Sequence, residues 1–179
     1  MAVYISLLRA VNVGGTGKIK MDALRQCYAD LGFPDAKSYV QSGNVVFTSD
    51  EPDPAKLAKT LDDGIQQTFG HRADVVIRTP DQMRAIIAGN PFKQHEDEPR
   101  YLHVVFLTAA PAAADVEATI AANTGPEKVE VRGTEVYIFY TNGSGRSKLS
   151  LKGLKVPGTA RNWNSVRKLV EIAGGFENT

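Results

Sequence analysis

Cysteine is nearly absent. Cys27 stands alone, so no internal disulfide can staple the chain and a cystine framework is excluded. Histidine is scarce, and His71, His95 and His103 are scattered with no metal-ligand spacing, so no metal is expected. No run approaches the ~18 consecutive apolar residues of a membrane helix. A G-x-S-x-G nucleophile elbow is missing, and no paired carboxylate spacing marks acid–base work. The opening Met1-Ala2-Val3-Tyr4 enters a strand-like stretch directly, without a basic n-region or cleavage site. We therefore expect no signal peptide and a reduced, cytoplasmic setting. The net charge is only +1, below the positive excess usual in modules that grip duplex DNA.

What is present is an ordinary globular composition. The chain has 179 residues, 42% hydrophobic and 23% charged. That length makes one domain or two small ones and buries roughly 70% of the surface an unfolded chain exposes, with no need of a metal or disulfide. The small net charge hides a segregation. Residues 1–48 carry five Lys/Arg against three Asp/Glu, residues 49–140 nine against fifteen, and residues 141–179 seven against two. A basic tail on a near-neutral protein steers anions; its plainer reading is a solvated basic face.

Hydrophobic patterning divides the chain into two similar halves. Val3 to Leu8 is β-rich and reads as a buried strand. Met21, Leu24, Tyr28 and Leu31 recur at helical spacing until Gly32 and Pro34 end the helix. Cys27 lies on that apolar side and reads as packed rather than nucleophilic. Strands over residues 38–41 and 44–48 flank Ser42-Gly43, a hairpin connection. A second helix carries Leu57, Leu61, Ile65 and Phe69, and a fourth strand covers residues 74–78. Residues 1–80 thus read β-α-β-β-α-β. Residues 81–100 form a helical linker, opened by Thr79-Pro80-Asp81 and ending in a charged run in which His95 reads as exposed. Residues 101–179 repeat the order as β-α-β-β-α without a clear last strand, and Trp163 reads as a core anchor on the final helix rather than a base-stacking platform. The expected fold is α+β, a tandem of two ferredoxin-like (split β-α-β) subdomains with antiparallel sheets.

Three loops carry the chemistry-bearing residues. The first runs from Arg9 through Asn12, Gly14, Gly15 and Gly17 to Lys18 and Lys20. It fails the P-loop pattern, because Asn12 stands where the first glycine belongs and Ile19 replaces the Ser/Thr that holds Mg²⁺. It also fails G-x-G-x-x-G, because Lys20 occupies the third glycine position. What remains is a basic loop before a helix N-terminus, where free N–H groups face an anion, or simply a β-α connection with exposed lysines. The second loop presents Gln41, Ser42 and Asn44, which read either as local turn chemistry or as amides facing the same pocket as Arg9 and Asn12. In a split β-α-β unit the first and third strands are antiparallel neighbours, so Asn44 is expected near the Arg9 end of the first strand. The third loop holds Ser147 and Lys148 and, later, Arg161 and Asn162. Glycines, hydroxyls and cations together suit phosphate or carboxylate. Asn162 also fits a helix N-cap.

Taken together, L-L-R-A-V-N-V-G-G, K-I-K-M, Y-V-Q-S-G-N-V-V-F, N-P-F, S-K-L and R-N-W-N resemble the bacterial domain-of-unknown-function family 1697 over about residues 3–174. Ala10 stands where that pattern has glycine, and Ser165 where it has threonine. The resemblance implies the same tandem architecture and brings no reaction. It points to Arg9, Asn12, Lys18, Lys20, Gln41, Ser42, Asn44, Ser147, Lys148, Arg161 and Asn162 as one set.

The leading expectation is a binding module for a phosphate-bearing ligand, a nucleotide or single-stranded nucleic acid. The aromatic RNP1 pattern of RNA-recognition domains is missing, and Tyr39 and Phe47 are more easily explained as core. One alternative is an enzyme on a phosphorylated or carboxylated small molecule, with Arg9, Arg161 and Lys148 holding the anion, although no general base stands out. Another is an interaction module pairing through sheet edges. No cofactor motif survives inspection, and the sequence leaves the ligand and the oligomeric state open.

Overall fold

A computed structural model of the protein describes residues 1–9 and 18–179. The chain divides into two compact units, one formed by Met1–Ala85 with Lys168–Thr179 and the other by Ile86–Arg167.

In the first unit the order is β1 (Ala2–Leu7), α1 (Met21–Asp30), β2 (Lys37–Tyr39), β3 (Asn44–Ser49), α2 (Pro54–Phe69) and β4 (Val76–Arg78). The four strands form an antiparallel sheet in the order β2-β3-β1-β4. Alternation along β1 sorts its side chains between two faces. Tyr4 and Leu8 join Val45, Phe47 and Ile77 in a core shared with Leu24, Cys27 and Tyr28 of α1 and Leu57, Leu61 and Ile65 of α2. Ser6, on that same face, is satisfied by the Tyr28 hydroxyl at 2.7 Å, so a polar pair sits inside the apolar layer at no cost in unmet hydrogen bonds. The opposite face carries Ile5, Leu7, Val46 and Val76, also buried.

The helices begin and end where local chemistry dictates. Asp53 accepts the Ala55 N–H at 2.9 Å as N-cap of α2, Pro54 fills its first turn, and Gly70 closes it at φ +85°. Gly64 leaves no side chain between α2 and Leu31, since a Cβ there would lie 2.5 Å from Leu31 Cδ1. Helix α3 (Pro80–Ala88) opens on a reciprocal capping box. Thr79 Oγ1 accepts from the Gln82 N–H at 3.1 Å, and Gln82 Oε1 accepts from the Thr79 N–H at 2.9 Å.

The second unit runs β5 (Leu102–Leu107), α4 (Ala113–Ala122), β6 (Lys128–Arg132), β7 (Glu135–Phe139) and β8 (Gly158–Asn162), in the sheet order β6-β7-β5-β8. Val105, Leu107, Val136, Ile138 and Leu154 centre its core. Two short 3-10 turns, Ser144–Arg146 and Lys152–Leu154, stand where the first unit has α2. The second turn packs on α4, and Gly153 makes this possible, because a Cβ there would meet Thr119 Oγ1 at 2.5 Å. Helix α5 (Trp163–Glu177) ends the chain, with Trp163, Val166, Leu169 and Ala173 buried.

Two sequence expectations are corrected. The second half does have a last strand, β8, antiparallel to β5. Its sequence Gly-Thr-Ala-Arg-Asn hides the alternation, because the inward positions are Thr159 and Arg161 rather than aliphatic residues. His95 is not simply exposed. Its ring stacks on Phe139 with centroids 3.6 Å apart, and Nδ1 lies 3.1 Å from Glu98.

Candidate functional site

The end of β1 gathers one group of sequence-selected residues. Asn44 pairs across from Leu7, and the Leu8 N–H donates to the Gly43 carbonyl at 2.9 Å. The hairpin turn therefore lies against the strand end, as the topology predicts. Gly43 has φ +79°, and a Cβ there would stand 2.7 Å from Leu8 Cβ, so the turn closes only around glycine. Asn44 is fully buried, and its Nδ2 donates to the Tyr39 carbonyl and to Ser42 Oγ, both at 3.0 Å. Its amide thus helps to close the hairpin. Gln41 is exposed. The Arg9 N–H donates to the Ala73 carbonyl at 2.7 Å, and its guanidinium pairs with Asp74 at 3.2 Å, both side chains about half exposed. Asp74 holds φ +45°, and the next N–H, of Val75, is caught by Asp62 Oδ1 at 3.3 Å. Lys18 and Lys20 are exposed just before α1, and Lys20 occupies the N-cap position without a side-chain cap bond. Asn12, Gly14, Gly15 and Gly17 lie outside the described residues.

A second group surrounds a hollow of about 570 Å³ in the second unit, lined among others by Tyr101, Asn123, Glu127, Asn142, Arg146 and Lys148. The loop after α4 and the loop after β7 build it. Ser147 Oγ donates to Glu127 Oε1 at 2.7 Å and accepts the Leu149 N–H at 3.1 Å. Its hydroxyl therefore ties the two loops together. Arg146 and Lys148, on either side of it, are exposed and form no ion pair among the described residues. With Glu127 the only acid in the lining among the described residues, the hollow carries a positive excess.

Arg161 does not line that hollow. It lies on β8 across from Val104, 6% exposed, and donates to Thr159 Oγ1 at 2.7 Å and the Ala160 carbonyl at 2.9 Å. Burial pushes its guanidinium down to about 10. Asn162 accepts the Ser165 N–H at 3.0 Å and so caps α5. Among the described residues no three His, Cys, Asp or Glu side chains group as metal ligands, and no helix is long and apolar enough to cross a membrane.

The family model described as "Protein of unknown function (DUF1697)" matches residues 1–137. The chain belongs to DUF1697. No curated protein matches it. Among solved structures it is similar to the conserved bacterial protein SP0830 from Streptococcus pneumoniae, with 23% identity and a TM-score of 0.74, over 96% of this chain and 98% of that one. That likeness is one of fold. The DUF1697 match includes Tyr101, Asn123 and Glu127 but ends before Arg146 and Lys148.

Sequence reasoning on this DUF1697 chain missed Tyr101, Arg78 and Glu127 as residues of interest. Tyr101 is an aromatic directly behind a charged run, and the Arg100 guanidinium lies over its ring, 5.9 Å from the centroid. Arg78 closes the apolar run Val75-Val76-Ile77 with a charge. Glu127 carries no local signal, because its role depends on Ser147, twenty residues away.

Proposed function

We propose that the protein binds a phosphate-bearing ligand, a nucleotide or single-stranded nucleic acid, through its basic loops. One observation carries the reading: Arg146 and Lys148 line a single hollow, and among the described residues neither side chain is paired with a carboxylate. Solvated cations converging on a concave surface attract an oxyanion, and Arg adds a planar fork suited to phosphate. Ser147 supports them by fixing the loop to Glu127. At the end of β1, Arg9, Lys18, Lys20, Gln41 and Ser42 form a second polar group in the proposal. There an incoming anion competes with Asp74 for Arg9.

We read both units as ferredoxin-like. In support, each sheet has the order last-first-third-second, and in the first unit a helix follows the first and third strands. The second unit departs from the pattern where 3-10 turns replace its second helix.

The test is titration calorimetry with pyrophosphate at low and high salt, on the wild type and on a variant carrying both Arg146→Ala and Lys148→Ala. Binding that weakens with salt and disappears in the variant is expected. Salt-independent binding, or full binding by the variant, would falsify the reading.

A further inference from the structure

We infer that the hollow in the second unit takes one nucleotide, with its base stacked on Tyr101 and its phosphate held by Arg146 and Lys148. This rests on the reading of the hollow as an anion site and adds the other half of the ligand.

A volume of about 570 Å³ is that of a small-molecule pocket, and the lining divides chemically. The cations sit on the loop after β7. Tyr101 stands just before β5, and its side chain is 36% exposed, so an aromatic ring is left partly open at the same hollow. The backbone that carries the ring is held. The Tyr101 N–H donates to the Glu98 carbonyl at 3.0 Å, and its carbonyl accepts the Tyr140 N–H at 2.8 Å. Gly143, at φ +82°, comes close enough that a Cβ would lie 3.7 Å from Tyr101 Cε1, so the loop bearing the cations is packed beside the ring. A ring on a fixed backbone loses little freedom on stacking, and the Arg100 guanidinium over it, 5.9 Å from the centroid, leaves the opposite face for a nucleobase. Asn142 adds a side-chain amide to the same lining, with a donor and an acceptor for a base edge.

Single-nucleotide occupancy is favoured over a strand by size: about 570 Å³ is the volume of a small-molecule pocket, and Glu127 within the lining opposes a second phosphate.

Adenosine monophosphate, ribose 5-phosphate and a short single-stranded oligonucleotide are titrated against the intact protein and against Tyr101→Leu. The mononucleotide is expected to bind about tenfold tighter than the sugar phosphate, and Tyr101→Leu to erase that difference. Tyr101→Phe should keep the preference. In the wild type, upfield shifts of the base protons in NMR report stacking without recourse to a variant. Equal binding of nucleotide and sugar phosphate overturns the inference while the anion reading stands. Binding of neither overturns both. An oligonucleotide held ten times more tightly than the mononucleotide would show a strand-binding surface and overturn the single-nucleotide pocket.

Discussion

Arg78 and Arg161 hold equivalent places in the two sheets. Arg78 lies across from Ile5 on β1, Arg161 across from Val104 on β5, and each guanidinium donates to the carbonyl of the residue before it, Ile77 and Ala160, at 2.9 Å. Both are nearly buried, each in the last strand of its sheet. A buried arginine in such a strand satisfies part of its fork with its own backbone, which limits what is left for a ligand. This relationship makes Arg161 a structural group first, whatever else it touches.

Removal of Arg161 should therefore cost stability. Arg161→Ala leaves a void and withdraws donors from Thr159 Oγ1 and the Ala160 carbonyl, for a loss of about 2–4 kcal/mol. Arg161→Met retains most of the volume and relieves the burial of charge, so its loss should be less than half as large. Urea unfolding midpoints of the two variants make the comparison. Equal losses would assign the whole effect to hydrogen bonds rather than packing.

The Gly43 turn offers a cleaner contrast. Gly43 and Gly32 both have positive φ, +79° and +99°, but a Cβ at Gly43 collides with Leu8 whereas one at Gly32 meets nothing within 4 Å. Gly32→Ala should cost only the left-handed conformation, about 1–2 kcal/mol. Gly43→Ala should cost at least ~1 kcal/mol more, because the hairpin must move away from β1. Chemical denaturation of both variants checks the difference. Similar losses would mean that the turn yields freely and does not hold the strand end in place.

The same turn shows what a sequence can reveal. The first unit is legible because its signals are local: Leu57, Leu61 and Ile65 at helical spacing, Gly70 as a stop, and Ser42-Gly43 between two strands. From these the neighbourhood of Asn44 and the end of β1 follows by topology alone. The Arg9–Asp74 pair does not follow, because its partners are 65 residues apart and meet only through the left-handed backbone of Asp74. Strand β8 is hidden because its inward positions are polar. The hollow is hidden because Tyr101 and Lys148 belong to different strand connections, brought together by the packing of Gly153 on Thr119 and the Ser147–Glu127 bond.

Alkaline pH should destabilise the fold through its buried tyrosines. Burial pushes the Tyr28 phenol far above its ordinary value of 10.0, Tyr137 up to about 12, and Tyr140 in the same direction. Above pH 10 the unfolded chain loses these protons while the folded chain keeps them, so stability falls as pH rises from that point. Tyr28→Phe should flatten the fall and, below pH 10, cost about 0.5–1.5 kcal/mol for the lost bond to Ser6, whose hydroxyl still donates to the Val45 carbonyl. Thermal melts across the alkaline range would show it, and an unchanged slope in the variant would clear Tyr28 of the effect.

On the acid side the group to watch is His103. It lies on β5 beside Tyr140, with ring centroids 5.0 Å apart, and its Nε2 is 3.1 Å from the Arg100 carbonyl. Burial lowers its proton affinity below the ordinary imidazole value of 6.5, partly offset by that carbonyl. As pH falls through 6.5 the unfolded chain takes up a proton that the folded chain resists. Stability present above that point is then lost until the folded imidazole also protonates. The slope is bounded by ~1.4 kcal/mol per pH unit for one group. Asp63 and Glu177, whose partners Lys59 and Arg84 hold their carboxyls low, lose stability in the same direction but only in the carboxylate range. Below pH 6.5 and above the carboxylate range the loss should therefore belong to His103, because Asp62, whose carboxyl burial pushes up, gains stability as pH falls, and His103→Gln should remove most of that loss. Urea midpoints of the wild type and the variant across that window decide the matter. Parallel curves would mean that the imidazole is solvated in solution and that burial does not govern its charge.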